Sequence, residues 1–133
     1  MSQENAEFVR KIFEAGGANS AGAVLPFVPA DVVWHPPPEW IVDSPYRGHD
    51  GVREAMGVFT ETFDDYRAEL HEARDAGDRV VALVWQSGVI KGSREPVRQA
   101  IGVVYADFRD GQIGEASFFR SWAEALEAAG LSE

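Results

Sequence analysis

Residues Asp31–Gly51 read DVVWHPPPEWIVDSPYRGHDG and hold two Trp, two His, one Tyr and four of the chain's seven prolines. The apolar run Val32–Trp34 has the pattern of a strand, and His35 ends it immediately before three consecutive prolines. Proline has no N–H donor and a fixed φ, so pairing cannot continue through this segment as a central strand. The expected product is a stiff connection that presents aromatic and imidazole groups beside a strand end. Binding groups concentrate in such connections when a rigid scaffold holds them. Beyond it, Asp50 offers an N-cap and Glu54 an acidic first turn. Val52, Met56, Phe59 and Phe63 then form one apolar stripe of a helix.

Working outward, Phe8, Ile12 and Phe13 predict an amphipathic helix over residues 4–15 that stops at Gly16-Gly17. A short second helix is expected over Ser20–Phe27. Downstream the apolar period changes to two. Tyr66–Ala76, Arg79–Lys91, Pro96–Phe108 and Gln112–Phe119 read as strands, with turns at Gly77-Asp78, Gly92-Ser93 and Arg109-Asp110-Gly111. A last helix, Ser121–Ala129, anchors through Leu126 and stops at Gly130. Residues 79–91 are apolar on both faces for much of their length, so both faces need cover. The early helices account for one. A second copy of the chain is the expected cover for the other, giving a homodimer through the sheet.

Composition narrows the function classes. At 133 residues the chain has the size of one domain. Its net charge is −10 and its basic residues are scattered, which disfavours nucleic acid and anionic membrane surfaces as partners. With no Cys there is no disulfide, no thiolate metal site and no Cys nucleophile. The first residues lack the apolar core of a secretory signal, and no apolar run approaches the ~20 residues of a membrane span. A cytoplasmic location is expected. His35, Glu39 and His49 lack metal-ligand spacing and no Gly-rich phosphate loop occurs, so neither metal nor cofactor is expected.

The order helix, helix, strand, helix and then four antiparallel strands predicts an α+β cone: a curved antiparallel sheet wrapped around about three N-terminal helices, with an interior cavity and a short C-terminal helix. EAGG (14–17), ADVVWHPPP (30–38), YRGHDGVREAM (46–56), FRDGQI (108–113) and AEALEAAGL (123–131) carry a resemblance. Together they resemble the SnoaL-like branch of the nuclear transport factor two-like superfamily, which includes the ketosteroid isomerases. The likeness runs through residues 1–133 as one domain. It implies the cone and its cavity. It does not imply one reaction, because this fold hosts isomerases, cyclases, epoxide hydrolases, dehydratases and binders without catalysis.

Carried over residue by residue, the isomerase machinery is missing. The Asp base of ketosteroid isomerases falls at Pro36, or at His35 if the register slips by one. Their helix Tyr falls near Val9, and their protonated Asp at Val104. The Asp that SnoaL-like sequences often carry before the last helix is Ser121 here. What remains is His35, an imidazole able to exchange a proton near neutrality at a cavity mouth. The alternative for His35 is a structural bond to a carbonyl of the proline turn. By the resemblance Arg120 shares the cavity side of the last strand with Gly114, Ala116 and Phe118, where it would hold a carboxylate or enolate. Its alternative is a surface ion pair.

Trp34, Trp40, Tyr46, Met56, Phe59, Trp85, Val104 and Phe118 are the expected ligand contacts. Alternation leaves open which faces of 79–91 and 96–108 turn inward. His49 is expected to be exposed at a helix start and His71 to sit on a solvated strand face. The expected function is binding of a small apolar molecule. It comes either with cofactor-independent acid/base catalysis of isomerase, cyclase or hydratase type, or as a binder without catalysis. An epoxide hydrolase-like arrangement around Arg98 is a minor alternative.

Overall fold

Pro36 and Pro37 end the first strand, as their missing N–H groups require. In the computed structural model, which describes residues 2–37 and 45–131, β1 is Val33–His35. The chain is next described at residue 45 and forms β2 (Tyr46–Arg47), a two-residue strand antiparallel to β1. Around these lie α1 (Ser2–Glu14), α2 (Ala21–Val24) with a 3-10 turn over Leu25–Phe27, and α3 (Gly48–Thr62). The long strands follow: β3 (Phe63–Asp75), β4 (Val80–Ile90), β5 (Pro96–Arg109) and β6 (Gln112–Phe119), then α4 (Trp122–Ala128). Ser20 and Ser121 cap α2 and α4, each accepting a bond from the backbone N–H three residues on.

Two helix details differ from the sequence reading. Arg47 takes the N-cap position of α3, so Asp50 lies inside the first turn, where it pairs with Arg53 at 2.9 Å. Phe63 leaves the helical stripe and opens β3, pairing with Ile90. His49 is half-buried rather than exposed. Its Nε2 lies 2.9 Å from the Val28 carbonyl and ties α3 to the 3-10 turn.

The six strands form a curved, unclosed sheet in the order β2-β1-β6-β5-β4-β3. Hairpins make β3 to β6 antiparallel. β1 meets β6 from far away in sequence, with no hairpin to set its direction, and pairs with it parallel. The inner face carries the main core, including Val9, Val32, Trp34, Met56, Val84 and Tyr105. The outer face carries a second cluster in which Val81, Leu83 and Val104 pack under Ala125 and Leu126 of α4. The chain's own last helix therefore covers part of the outer face that a second copy was expected to cover.

Two features of β3 matter later. Asp65 has φ 53° and stands in a bulge between Asp64 and Arg67, where the register with β4 shifts. The extra residue puts Phe63, Tyr66 and Ala68 on the inner face, where strict alternation from Phe63 would have chosen Asp65 and Arg67. Along the strand's free side, Asn19 Oδ1 accepts the Ala68 N–H at 2.9 Å and Arg10 donates to the Ala73 carbonyl at 3.2 Å. Among the described residues no helix is long and apolar enough to cross a membrane.

Candidate functional site

At the open end of the cone, the inner ends of β4 and β5 face the last residue pair of β6. Phe59 of α3 closes one side and residues 119–124 the other. They enclose an open cleft of about 460 Å3. Its apolar lining includes Phe59, Ile101, Phe118 and Phe119; Gln86, Gln99 and Ser121 are its neutral polar groups, and Arg120 and Glu124 its charged ones. Behind Phe59, Ile101 and Phe118, which line both spaces, lies a nearly closed apolar gap of about 20 Å3. The interior of the cone is thus mostly filled by side chains such as Trp34, Met56 and Tyr66 rather than left as a large cavity.

A chain of hydrogen bonds joins the cleft to the gap. Gln99 Nε2 donates to Gln86 Oε1 at 2.7 Å, and Gln86 Nε2 donates to the Tyr66 hydroxyl at 2.7 Å. Gln86 is the one buried polar residue among those described, and these bonds satisfy its amide at both ends. The Tyr66 ring stacks on Phe59 with centroids 5.3 Å apart and planes 7° apart. Tyr105, also buried, lines the same gap.

Burial pushes the Tyr66 phenol up to about 12, against the smaller downward pull of the Gln86 bond. Burial raises Tyr105 as well, with the nearby Tyr66 adding to the rise. Both phenols therefore stay protonated in the folded state above pH 10, where the unfolded chain ionises. Their contribution to stability is fully present below pH 10 and is lost as pH climbs from 10 towards 12. Urea unfolding at pH 8 and pH 11 should show that loss, and Tyr66→Phe should reduce it. Equal stability at both pH values would contradict the buried placement.

The expected site residues divide. Trp34, Met56, Phe59 and Phe118 line the gap, the last two also the cleft, and Arg120 stands at the cleft's rim. Tyr46 packs against the core beside Gly51 but lines neither space. Trp40 and Glu39 lie outside the described residues. Val104 faces outward under α4, because Val103 and Tyr105 take the inner face. Trp85 also faces outward. It meets Trp122 edge-on at 5.0 Å, with the Arg98 guanidinium 3.9 Å over its ring. That placement removes Arg98 from the cleft and with it the epoxide hydrolase-like arrangement. His71 is exposed and stacks on Trp122 at 4.6 Å.

His35 is turned away from the cleft. Trp34 points inward, so the next side chain on the strand points outward. There His35 Nε2 lies 2.8 Å from Glu115 Oε2, on the outer side of β6. The half-exposed pair is a surface contact, and no proton transfer in the cleft runs through it. Alternation leaves the faces of Gln86 and Tyr105 open, and no sequence signal marks Gln99 or Tyr66 as site residues. Among the described residues no group of three His, Asp or Glu side chains is placed to hold a metal ion.

A curved, unclosed sheet wrapped around helices and open at one end defines a class of cone-shaped α+β folds. The sequence matches the SnoaL-like domain family over residues 9–116, and the chain belongs to that family. No curated protein matches it. Similar solved structures include a protein of ketosteroid isomerase-like fold from Catenulispora acidiphila DSM 44928, in complex with trimethylamine. It is 18% identical, with a TM-score of 0.69 over 94% of this chain and 93% of that one. An NTF2-like protein of unknown function from Burkholderia pseudomallei K96243 is 21% identical, with a TM-score of 0.70 over 92% and 95%. A protein provisionally named a SnoaL-like polyketide cyclase, from Jannaschia sp. CCS1, is 19% identical, with a TM-score of 0.71 over 89% and 85%. At these identities the likeness is one of fold.

Proposed function

We propose that the chain binds a small, largely apolar organic molecule in the cleft at the open end of the cone. The observation that carries this reading is the cleft itself. Its volume of about 460 Å3 lies within the range of about 300–1,000 Å3 typical of small-ligand sites. Aromatic and aliphatic side chains line it, and Gln99, Ser121, Arg120 and Glu124 can orient a polar end. A relative of the same fold is provisionally named a polyketide cyclase, which agrees with an apolar, oxygen-bearing ligand. With His35 on the outer face, binding is better supported than acid/base catalysis through that residue. Among the described residues, Glu124 and the two phenols are the groups near the cleft that could move a proton.

Titration with 1-anilinonaphthalene-8-sulfonate tests the reading. Saturable binding is expected, at least tenfold weaker in Gln99→Trp, whose indole fills the rim. His35→Ala should leave it unchanged. Binding that ignores Gln99→Trp, or that fails when His35 is removed, overturns the cleft as the site. We also propose a homodimer through the outer face around Trp85 and Arg98, and a cytoplasmic location.

A further inference from the structure

We propose that Gln99 selects the ligand of the cleft by accepting a hydrogen bond from it, so that the bound molecule carries a neutral donor such as a phenolic or alcoholic hydroxyl. The inference rests on the cleft reading above and names the polar end of its ligand. Gln86 and Gln99 stand directly opposite each other on β4 and β5, and both line the cleft. Their amides point in one direction. Gln99 Nε2 donates to Gln86 Oε1 at 2.7 Å, and Gln86 Nε2 donates to the Tyr66 hydroxyl at 2.7 Å.

That direction decides what the cleft offers. Gln86 is 2% exposed, and turning its amide over alone would set its NH2 against the NH2 of Gln99, two donors face to face. Gln99 is therefore held by its nitrogen, and its oxygen is the free end. The side chain is exposed and lines the cleft, and its oxygen accepts no bond among the described residues. Phe59, Ile101 and Phe118 belong to the same lining, so a ligand seated on them displaces water from that oxygen. An acceptor stripped of water needs a donor in return. A carbonyl or ether end brings none. A charged donor gains nothing extra, because Arg120 and Glu124 place both signs of charge in the lining. The neutral donor is the group that fits.

The test follows 2-naphthol, which donates and accepts, 2-methoxynaphthalene, which only accepts, and 2-methylnaphthalene, which does neither. In Gln99→Met, which keeps the length of the side chain and loses its amide, 2-naphthol should weaken about fivefold relative to each of the others, the effect of about one hydrogen bond. In wild-type protein carrying carbon-13 at the glutamine Cδ atoms, 2-naphthol should move the Gln99 resonance further downfield than 2-methylnaphthalene does, a readout that needs no variant. Equal weakening of every ligand means that Gln99 is only a wall of the cleft. Weakening of 2-naphthol and 2-methoxynaphthalene together means that the amides point the other way and Gln99 donates. Either result, or the same Gln99 shift with both ligands, overturns the inference and leaves the cleft reading standing. If no naphthalene binds, the cleft reading falls and this inference with it.

Discussion

Trp34→Ala is expected to lower the unfolding free energy by about 3–5 kcal/mol, the cost of emptying a buried aromatic site. Trp34 is 4% exposed and sits in a three-residue strand between β2 and β6. Its ring lies 5.2 Å from that of Phe118 and lines both the apolar gap and a second void of about 10 Å3 beside Val9 and Ile12 of α1. β1 is too short to draw much stability from its own ladder, so the indole anchors it. The neighbours that would have to collapse into the void are held by α1, α3 and the long strands, which limits relaxation. Urea denaturation with far-UV detection measures the loss. A change below about 1 kcal/mol would show that the ring is not packed as described.

Gly102→Val should be nearly as damaging for the opposite reason. Gly102 is buried in β5, opposite Leu83 and Phe119. A Cβ at this position would overlap the Cβ of Ala125 and approach the Ser121 carbonyl to 3.1 Å. Neither neighbour is the end of a flexible side chain, so α4 has to lift away. Lifting exposes Val81, Leu83 and Val104 and strains the bond from Trp122 Nε1 to the Val84 carbonyl. Overpacking costs about 1–3 kcal/mol in general, and a loss at the top of that range is expected here. A red-shifted Trp122 emission should accompany it. Unchanged stability and emission would mean that α4 does not rest on Gly102.

The elements were largely legible in the sequence because each has its own period and its own stop. Gln112–Phe119 is both the expected and the observed strand. Phe59 was legible as an inner residue from its helical stripe, and Phe118 only through the family resemblance. The faces of β4 and β5 were not, since both are apolar and only the position of α4 assigns one of them to the outside. His35 was misread although alternation held the answer: once Trp34 turns inward, its neighbour turns out. Gln86 also left a signal, a lone amide two residues after Val84 in an apolar run. Tyr66 left none. Its direction depends on the bulge at Asp65, where a residue other than glycine adopts positive φ.

The bonds from Asn19 and Arg10 to the rim of β3 have a consequence for how the chain behaves in a crowded solution. A terminal strand of thirteen residues is a template on which another extended chain can add, and growth of that kind leads to fibres. Here two of its backbone groups are already occupied by side chains from the helical layer. Exposed Asp64, Asp65, Arg67, Glu69 and Glu72 dress the same strand with charge. Addition of a foreign strand would have to break those bonds and bury that charge. The helices that fill the cone thus also keep its longest exposed border from recruiting neighbours.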